Sequence, residues 1–393
     1  MKQKKQLLFV ALFMAGLVLM GSCSKLGMTP LSDASDKSHQ VTTTDPNLIP
    51  IPSIVFTLAG DTTDGFVDAT GKAARFDQPN GITLDPQGNL IVADAFNRSI
   101  RRVTPAGVVS TVAGKIDNSG LINTDGPLSV ARFGLPEGVV FDGAGKLFIT
   151  DAASHRIRVI SGDLVSTVAG GTGDNHDIPR GDFADGSGNH ARFDIPWGIA
   201  ADAAGNLYIG DMGNHRIRKV VPGSSVFTSF VTTFAGQKLS GLVDGQDTAA
   251  RFALPVGVAR DKAGNLYVAD QFNHCIRKIS PSGAVTTLAG NGTAGFVNGV
   301  GSAARFNNPT TVAIDNQGNV LVGDHLNFSL RKITPAGVVT TLAGNGTQGT
   351  EDGTTVSARF SEIGGIVVDP KGVIYLTDRN RIRVIRQPMA HTQ

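Results

Sequence analysis

The chain has 393 residues, 49 of them glycine, and a formal net charge of +2. Lys2, Lys4 and Lys5 are the only charged side chains of residues 1–22, so removing this segment would leave a net charge of +2 − 3 = −1. A charge so close to zero gives no electrostatic reason to expect a nucleic acid partner.

The N-terminal segment, residues 1–22, has the composition of a secretory signal peptide. Its three lysines precede the apolar run Leu7–Met20, which is too short for a membrane-spanning helix. Gly21 and Ser22 then precede Cys23 in a pattern that resembles a bacterial lipobox, with Met20 in place of the usual leucine. The resemblance implies cleavage before Cys23 and attachment of acyl chains such as palmitate to that residue. The alternative is an ordinary signal peptide followed by an unmodified cysteine.

The next segment, residues 23–50, is rich in Ser, Thr, Asp and Pro and has little periodicity, which is typical of a disordered tether. Residues 388–393 are expected to form a loose tail. A lipidated Cys23 cannot pair with Cys275, the other cysteine, so we expect no intrachain disulfide. We interpret Cys275 as a structural residue, because spacing assigns it no partner base.

Residues 51–387 consist of one unit repeated six times. Each unit begins with an Ala-Arg-Phe anchor and continues with four apolar runs separated by Gly, Pro and Asp turns. A period of this length with several short strands per unit is typical of a propeller. One propeller of this size leaves no room for a second folded domain. The anchor phenylalanines are Phe76, Phe133, Phe193, Phe252, Phe306 and Phe360.

The fourth unit gives the strand pattern. It predicts strands at Gly257–Arg260, Leu266–Ala269, Ile276–Ile279 and Val285–Ala289, with a Gly-Asn hairpin turn between the first two. The last unit has only three strands, whereas one strand, Ile54–Ala59, precedes the first anchor. We therefore predict an all-β, six-bladed β-propeller of four-stranded blades. The N-terminal strand would complete the last blade and hide the sheet edges.

The runs Pro196–Val220 and Pro255–Ile279 carry the pattern that continues from P-x-G through D-x-x-G-N-L to D-x-x-N-H-x-I-R-K. This pattern resembles the NHL repeat, and the resemblance extends over about Ile54–Ile385. It implies a six-bladed propeller. It leaves function open, because NHL propellers include enzymes, RNA binders and binders of proteins or other ligands.

Some charged positions recur in all six units, which indicates a structural frame. An Asp or Asn lies eight residues before each anchor Phe, and an Arg lies one before it. A carboxylate and a guanidinium can hold a long loop by charge-assisted hydrogen bonds, whereas one Asp per loop supplies too few oxygens for calcium. Each second strand ends in Asp, which can accept N–H bonds from the following turn. Each third strand carries an Arg. The loop residues are Asp68, Asp125, Asp185, Asp244, Asn298 and Asp352.

Other positions differ between units, and these are the candidates for function. The connections between units span 16 to 23 residues from the TLAG glycine to the anchor, and the longest covers residues 171–192. They leave from the same face as the second-to-third loops, whereas the turns of the opposite face are uniformly short. We therefore place the ligand on the long-loop face. Around the channel mouth we expect a polar pocket with the only tryptophan, Trp197, as a stacking wall. Its candidate residues are Asn80, Glu137, Trp197, Thr310, Phe96, Phe272 and His325.

A metal centre is the alternative site. His155, His215 and His274 occupy one equivalent position in three successive units and could hold zinc. The local pattern also resembles the zinc-binding segments of the peptide-amidating lyase, an NHL-type propeller enzyme. That resemblance implies a metal-dependent lyase or hydrolase, with zinc or calcium, in which Glu137 is the acid/base. Histidine is also ordinary at this position in NHL repeats that bind no metal.

The sequence favours a binding or interaction protein over an enzyme, since it contains no convincing catalytic set and no G-x-S-x-G, H-E-x-x-H or Walker pattern. We expect a monomeric propeller, held in the cell envelope at the outer membrane, on its periplasmic or surface side, that binds a glycan, a peptide or a protein and needs no cofactor. A purely structural envelope lipoprotein is a third reading. The ligand is not identified by the sequence.

Overall fold

Six antiparallel sheets surround a common axis in the computed structural model, which describes residues 53–114, 123–171 and 181–386. The first strand of each sheet contacts the first strands of both neighbouring sheets, and the sixth contacts the first. The chain is therefore the predicted six-bladed β-propeller. No helix among these described residues is long and apolar enough to cross a membrane.

Each blade has four main strands that are hydrogen-bonded in order from the axis outwards. The first strands are Pro79–Leu84, Pro136–Phe141, Pro196–Ala201, Pro255–Arg260, Pro309–Ile314 and Ile363–Val368. The second strands are Leu90–Asp94, Leu147–Asp151, Leu207–Asp211, Leu266–Asp270, Val320–Asp324 and Ile374–Asp378. The third strands are Ser99–Val103, Arg156–Ser161, Arg216–Val221, Cys275–Ile279, Ser329–Ile333 and Arg381–Arg386. The fourth strands are Val109–Ala113, Leu164–Ala169, Phe230–Gly236, Ala284–Ala289, Val338–Ala343 and, in blade six, Ile54–Gly60.

The ring closes as the sequence predicts. Ile54–Gly60 pairs with the third strand of blade six, in a register that sets Ile54 opposite Arg386 and Gly60 opposite Arg381. Asp352 of blade six accepts hydrogen bonds from the backbone N–H and the hydroxyl of Thr57 in this strand. The two ends of the propeller segment are thus joined inside one sheet, and the sixth blade has no unpaired third strand.

A fifth, two-residue strand lies outside the fourth strand in five blades and is absent from the predicted pattern. It comes from the connection that leads into the blade, which runs down the outer edge and returns to the axis at the anchor Phe. In blade one a single bridge between Thr70 and Val108 takes its place. Much of the length of the connections therefore covers sheet edges, so loop length alone does not mark a functional face. The fifth strands are Gly126–Pro127, Gly186–Ser187, Gly245–Gln246, Gly299–Val300 and Gly353–Thr354.

Short 3₁₀ turns occur in the connections and in the loops between second and third strands. In the loops they follow the terminal Asp of the second strand in blades two to five. They are Gly71–Ala73, Ala152–Ser154, Met212–Asn214, Asp247–Ala249, Gln271–Asn273, Gly301–Ala303 and His325–Asn327.

The apolar core lies between neighbouring blades. One cluster joins Phe148 and Ile157 of blade two to Ile199 and Leu207 of blade three, and the other clusters repeat this arrangement around the ring. Because both faces of each sheet are covered, the second strands are buried except at the half-buried Tyr375 of blade six, which agrees with their continuous apolar runs. At the axis, a Cβ on Gly81 would lie 2.3 Å from the Glu137 carbonyl oxygen, so glycine permits the close approach of the first strands.

The recurring charges form one network per blade, as blade four shows. Arg277 is fully buried and donates to Asp270 at 2.7 Å and to Asp244 at 2.7 Å, with its guanidinium over the ring of the anchor Phe252. Asp244 accepts from the Thr287 hydroxyl in the fourth strand. The interpretation of these charges as a frame agrees with this geometry. The equivalent third-strand arginines, all fully buried, are Arg101, Arg158, Arg218, Arg331 and Arg383.

Two details of the predicted frame are wrong. The loop carboxylate pairs with the third-strand Arg and not with the Arg that precedes the anchor. Asp270 accepts the backbone N–H of Ala253, seventeen residues earlier, and not one from the turn that follows it. Sequence spacing cannot show either contact, since both cross between separate strands of the blade.

Several predicted features lie outside the described residues. These are the signal peptide at 1–22, the lipidation site Cys23, the tether at 23–50, the tail at 388–393, and residues 172–180 of the longest connection. In the described part of that connection, Asp185 bonds Arg218 and Thr233 and so belongs to the frame. Cys275 is fully buried and is not in a disulfide. Burial raises the pKa of its thiol well above the ordinary value, which agrees with the structural interpretation.

Candidate functional site

The candidate residues share one face of the ring because of strand register. Each first strand begins opposite the terminal Asp of the second strand, as Pro196 does opposite Asp211 and Pro79 opposite Asp94. The second residue of the first strand therefore lies beside the loop between second and third strands. We call this side the mouth face. It carries Asn80, Glu137, Trp197, Thr310, Phe96, Phe272 and His325, together with the beginnings and ends of the long connections.

Glu137 is the most deeply buried ionisable group of the candidate set. Its side chain in blade two is only 2% exposed, and its Oε2 accepts a hydrogen bond of 2.6 Å from Asn80 Nδ2 in blade one. Burial raises the pKa of Glu137 well above its ordinary value, and the nearby charges of Glu362 and Asp151 raise it further. The contact with Asn80 links blades one and two at the mouth, and the Glu137 carboxyl presents almost no surface to solvent.

Glu362 belongs to the same cluster and was not among the sequence candidates. It is half-buried in blade six, directly before the first strand, and its charge acts on both Glu137 and His325. The position before the first strand holds Gln78, Leu135, Ile195, Leu254 and Asn308 in the other blades. The acidic exception in blade six is the signal by which comparison of the units could have found it.

His325 and Thr310 extend the polar region into blade five. The His325 side chain lies near Glu362, and burial lowers the pKa of its imidazole below the ordinary value while the Glu362 charge acts in the opposite direction. Thr310 donates through its hydroxyl to the Ile363 carbonyl in blade six at 3.2 Å. Thr377 of blade six donates similarly to the Asn80 carbonyl at 2.9 Å. Blades five, six, one and two are thus linked at the mouth by polar contacts.

In blades three and four, the residues at and just before the start of the first strand are apolar. Trp197, Val256 and Leu254 come from blades three and four, and all three side chains are buried. Trp197 is 7% exposed, so protein covers most of the ring that we predicted to be a stacking wall. Phe272 is 42% exposed and Phe96 half-buried, so Phe272 presents the most aromatic surface on this face among the candidates. The first strands and loops of blades five, six, one and two therefore form a polar part of the mouth. The first strands of blades three and four form a smaller apolar part.

The three equivalent histidines connect blades and do not converge. His155 Nδ1 accepts the backbone N–H of Ile195 at 3.1 Å, His215 Nδ1 accepts that of Leu254 at 3.2 Å, and His274 Nδ1 that of Asn308 at 3.1 Å. In each of these hydrogen bonds the donor is a residue of the next blade that has a positive φ. That conformation is strained for a β-branched residue such as Ile195.

These contacts correct the predicted zinc or calcium centre. The Nδ1 atoms of His155, His215 and His274 are occupied by backbone donors, and no group of three His, Cys, Asp or Glu side chains suited to a metal occurs within the described residues. Burial lowers the pKa of all three imidazoles, that of His155 to about 4, so they are neutral acceptors at neutral pH. In blade six Asn380 Oδ1 has the same role, accepting the N–H of Gln78 at 3.1 Å.

The class of protein is thereby defined: a six-bladed β-propeller with a repeated charged frame and a mouth at which the second residue of the first strand differs in every blade. The family model described as "NHL repeat" matches residues 193–220 and 252–279, which lie in blades three and four. The chain therefore contains NHL repeats in blades three and four of a six-bladed β-propeller.

Similar proteins include two curated relatives. The chain is 30% identical over 342 residues to "NHL repeat-containing protein 2" of Bos taurus, covering 78% of this chain and 46% of that protein. It is 26% identical over 272 residues to "Protein SUPPRESSOR OF QUENCHING 1, chloroplastic" of Arabidopsis thaliana, covering 65% and 25%. The chain thus spans less than half the length of these relatives.

Solved structures show the same fold at low identity. An "auxiliary nutrient binding protein" from Bacteroides thetaiotaomicron superposes with a TM-score of 0.62 at 18% identity, over 85% of this chain and 76% of that one. A streptogramin B lyase superposes with a TM-score of 0.52 at 11% identity, over 85% and 98%. At such identities the likeness concerns the fold alone.

Proposed function

We propose that this chain is a lipid-anchored protein of the cell envelope, at the outer membrane, that binds a glycan, peptide or protein ligand at the mouth face. The observation that carries the proposal is the contrast between repeated and unrepeated positions. The Asp–Arg–Phe frame is alike in every blade, whereas the mouth brings Asn80, Glu137, Glu362 and His325 together from four different blades. A scaffold alone has no need of that asymmetry.

The polar and the apolar part of the mouth suggest how a ligand would be held. The half-buried Asn80 and Thr310 offer hydrogen-bonding groups, and the exposed ring of Phe272 offers an apolar surface on which a sugar ring or a peptide side chain can pack. One structural neighbour is described as an auxiliary nutrient binding protein, and that role is compatible with this proposal. The metal-dependent lyase or hydrolase is not advanced, because its histidines are bound to the backbone of neighbouring blades.

Two exposed phenylalanines on opposite faces provide a matched test. Phe272 lies at the mouth, and Phe227 lies in a turn of the opposite face, 67% exposed. The full chain, purified in detergent, would be screened against arrayed oligosaccharides and peptides, and the best probe measured by calorimetry. We expect Phe272→Ala to weaken binding by about tenfold or more, while Phe227→Ala leaves it unchanged. Equal affinity of the wild type and Phe272→Ala, or a loss confined to Phe227→Ala, would refute binding at the mouth.

Anchoring has a separate test. Cys23→Ala should abolish incorporation of labelled palmitate and release the protein from the membrane fraction, because the acyl chains would have no attachment site. Cys275→Ala should change neither property, since Cys275 is buried in blade four. Retention of Cys23→Ala at the membrane, with undiminished labelling, would contradict lipid attachment at Cys23.

A further inference from the structure

Both ends of the propeller segment lie on the face opposite the mouth. In blade three, the third and fourth strands pair along their length, with Arg216 opposite Gly236 at the mouth end. At the other end Val221 lies opposite Phe230, and the turn that joins the two strands begins there. In blade six the corresponding pairs are Arg386 with Ile54 and Arg381 with Gly60. Ile54 and Arg386 thus occupy the positions of a turn on the face opposite the mouth, which we call the turn face.

The turn face carries an apolar projection in blade three. Residues 222–229 join the third and fourth strands there, whereas the same turn has two to five residues in blades one, two, four and five. Our expectation that all turns of this face are short is therefore wrong for blade three. Phe227 on this turn is 67% exposed, and the paired Phe230 and Val221 are 51% and 47% exposed. Adjacent exposed apolar side chains of this size are typical of an interaction surface.

The exposed charges of the turn face are mainly basic. The aspartates of its six hairpin turns point their carboxylates into their own turns, as Asp202 does by accepting the N–H groups of Ala204 and Asn206. Asp163 and Asp247 are the exposed acids near these turns. The exposed basic side chains of the turns and adjoining strand ends are Lys146, Lys262, Lys371 and Arg386, and also Arg102, which lies 3.9 Å from the Asp85 carboxylate.

We propose that the turn face rests on an anionic lipid surface, with Phe227 and Phe230 entering the headgroup region and the mouth directed away from the membrane. The proposal rests on the lipid attachment at Cys23 proposed above. Aromatic side chains flanked by basic groups are suited to the interface of an anionic bilayer.

The length of chain between Cys23 and the propeller supports a lipid surface as the partner of the turn face. Twenty-nine residues, 24–52, lie between Cys23 and Ser53, so even at full extension Ser53 is no further than about 100 Å from the attachment point. Ser53 precedes the strand that starts on the turn face. The attachment point would therefore keep this face close to the bilayer at a high effective concentration, so that a weak apolar and electrostatic contact suffices to orient the ring.

Tryptophan fluorescence can test this orientation because the chain has a single tryptophan, which is buried. In a Trp197→Phe background, Phe227→Trp places a reporter on the turn face and Phe272→Trp places one at the mouth. Both full-length, lipidated proteins would be reconstituted into vesicles of phosphatidylglycerol and phosphatidylcholine with brominated acyl chains. We expect the Phe227→Trp reporter to shift to shorter wavelength and lose roughly half its emission, whereas the Phe272→Trp reporter stays unquenched.

Three results would overturn the proposal. The first is equal emission from both reporters in the brominated vesicles, and the second is stronger quenching of the reporter at position 272. The third is a shift of the reporter at position 227 that occurs only when envelope proteins are added without lipid. Flotation of the vesicles is measured first, because a protein without lipid attachment fails at that step. A protein that floats with the vesicles and shows no quenching at position 227 refutes the orientation and leaves the anchor standing.

Discussion

The frame and the mouth of this propeller use the same strands in different ways. In the frame, six fully buried arginines make equivalent contacts, each above its anchor Phe. At the mouth, the second residue of the first strand is Asn80, Glu137, Trp197, Val256, Thr310 or Gly364. The frame fixes the blades independently of the mouth, so the mouth residues can differ without loss of the fold. Three experiments would test this separation of roles.

The largest expected effect is in the frame. Arg277→Met leaves the buried carboxylate of Asp270 without its charged partner, and removing one member of a buried ion pair costs about 3–5 kcal/mol. Urea unfolding at neutral pH should show a correspondingly lower midpoint. Lys262→Ala, on an exposed turn of the same blade, is the control, because a substitution at an exposed turn should change stability by less than about 0.5 kcal/mol. Similar midpoints for the two variants would show that the network is dispensable.

An intermediate effect is expected where the histidines link blades. Burial lowers the pKa of His155 to about 4 from 6.5, so the unfolded chain takes up a proton at a higher pH than the folded one. Stability is therefore complete above pH 6.5 and falls as the pH drops towards 4, by an amount on the order of 2 kcal/mol at pH 5. His155→Gln should remove this part of the pH dependence in urea unfolding, whereas His190→Gln, on an exposed connection, should leave the slope as it is. An unchanged slope in His155→Gln would contradict the neutral acceptor role.

The smallest effect is expected at the mouth, and it has the opposite sign. The pKa of Glu137 is higher in the folded chain than in the unfolded chain, so the folded chain keeps a proton that the unfolded chain has lost. The free energy of unfolding therefore decreases as the pH rises above the pKa of the unfolded chain, near 4.5. Glu137→Gln should therefore stabilise the protein at pH 7 by about 1 kcal/mol, with no gain at pH 4. Paired thermal or urea unfolding at the two pH values measures it.

Glu351→Gln is the contrasting control for that experiment. Backbone N–H groups lower the pKa of this exposed carboxylate, so its replacement should give no stabilisation at pH 7. A Glu137→Gln protein that is less stable than the wild type at pH 7 would mean that Glu137 is ionised and belongs to the frame.

Most of the fold could be predicted from sequence because its signals are local or repeated. Gly264 and Asn265 specify a hairpin by their own backbone preferences, and the six anchors specify the number of blades. The count of strands also predicted closure, since three strands in the last unit require the leading strand Ile54–Gly60. The fifth strands were missed because two-residue strands have no periodicity of their own.

The site was predicted only in part. Asn80, Glu137, Thr310 and His325 lie on the mouth face because strand register follows from the repeat. The contact of Asn80 with Glu137 and the influence of Glu362 join blades that are distant in sequence, and no local pattern records them.

What the sequence by itself determined is the ring: strand, turn and period are encoded within each unit of roughly 55 residues. What only the tertiary structure decided is the environment of single side chains. His155, His215 and His274 have the same sequence context as possible metal ligands, yet each becomes a neutral acceptor because the next blade presents a backbone N–H to its Nδ1. The chemistry of these groups depends on burial and on partners in the neighbouring blade, and these exist only once the ring has closed.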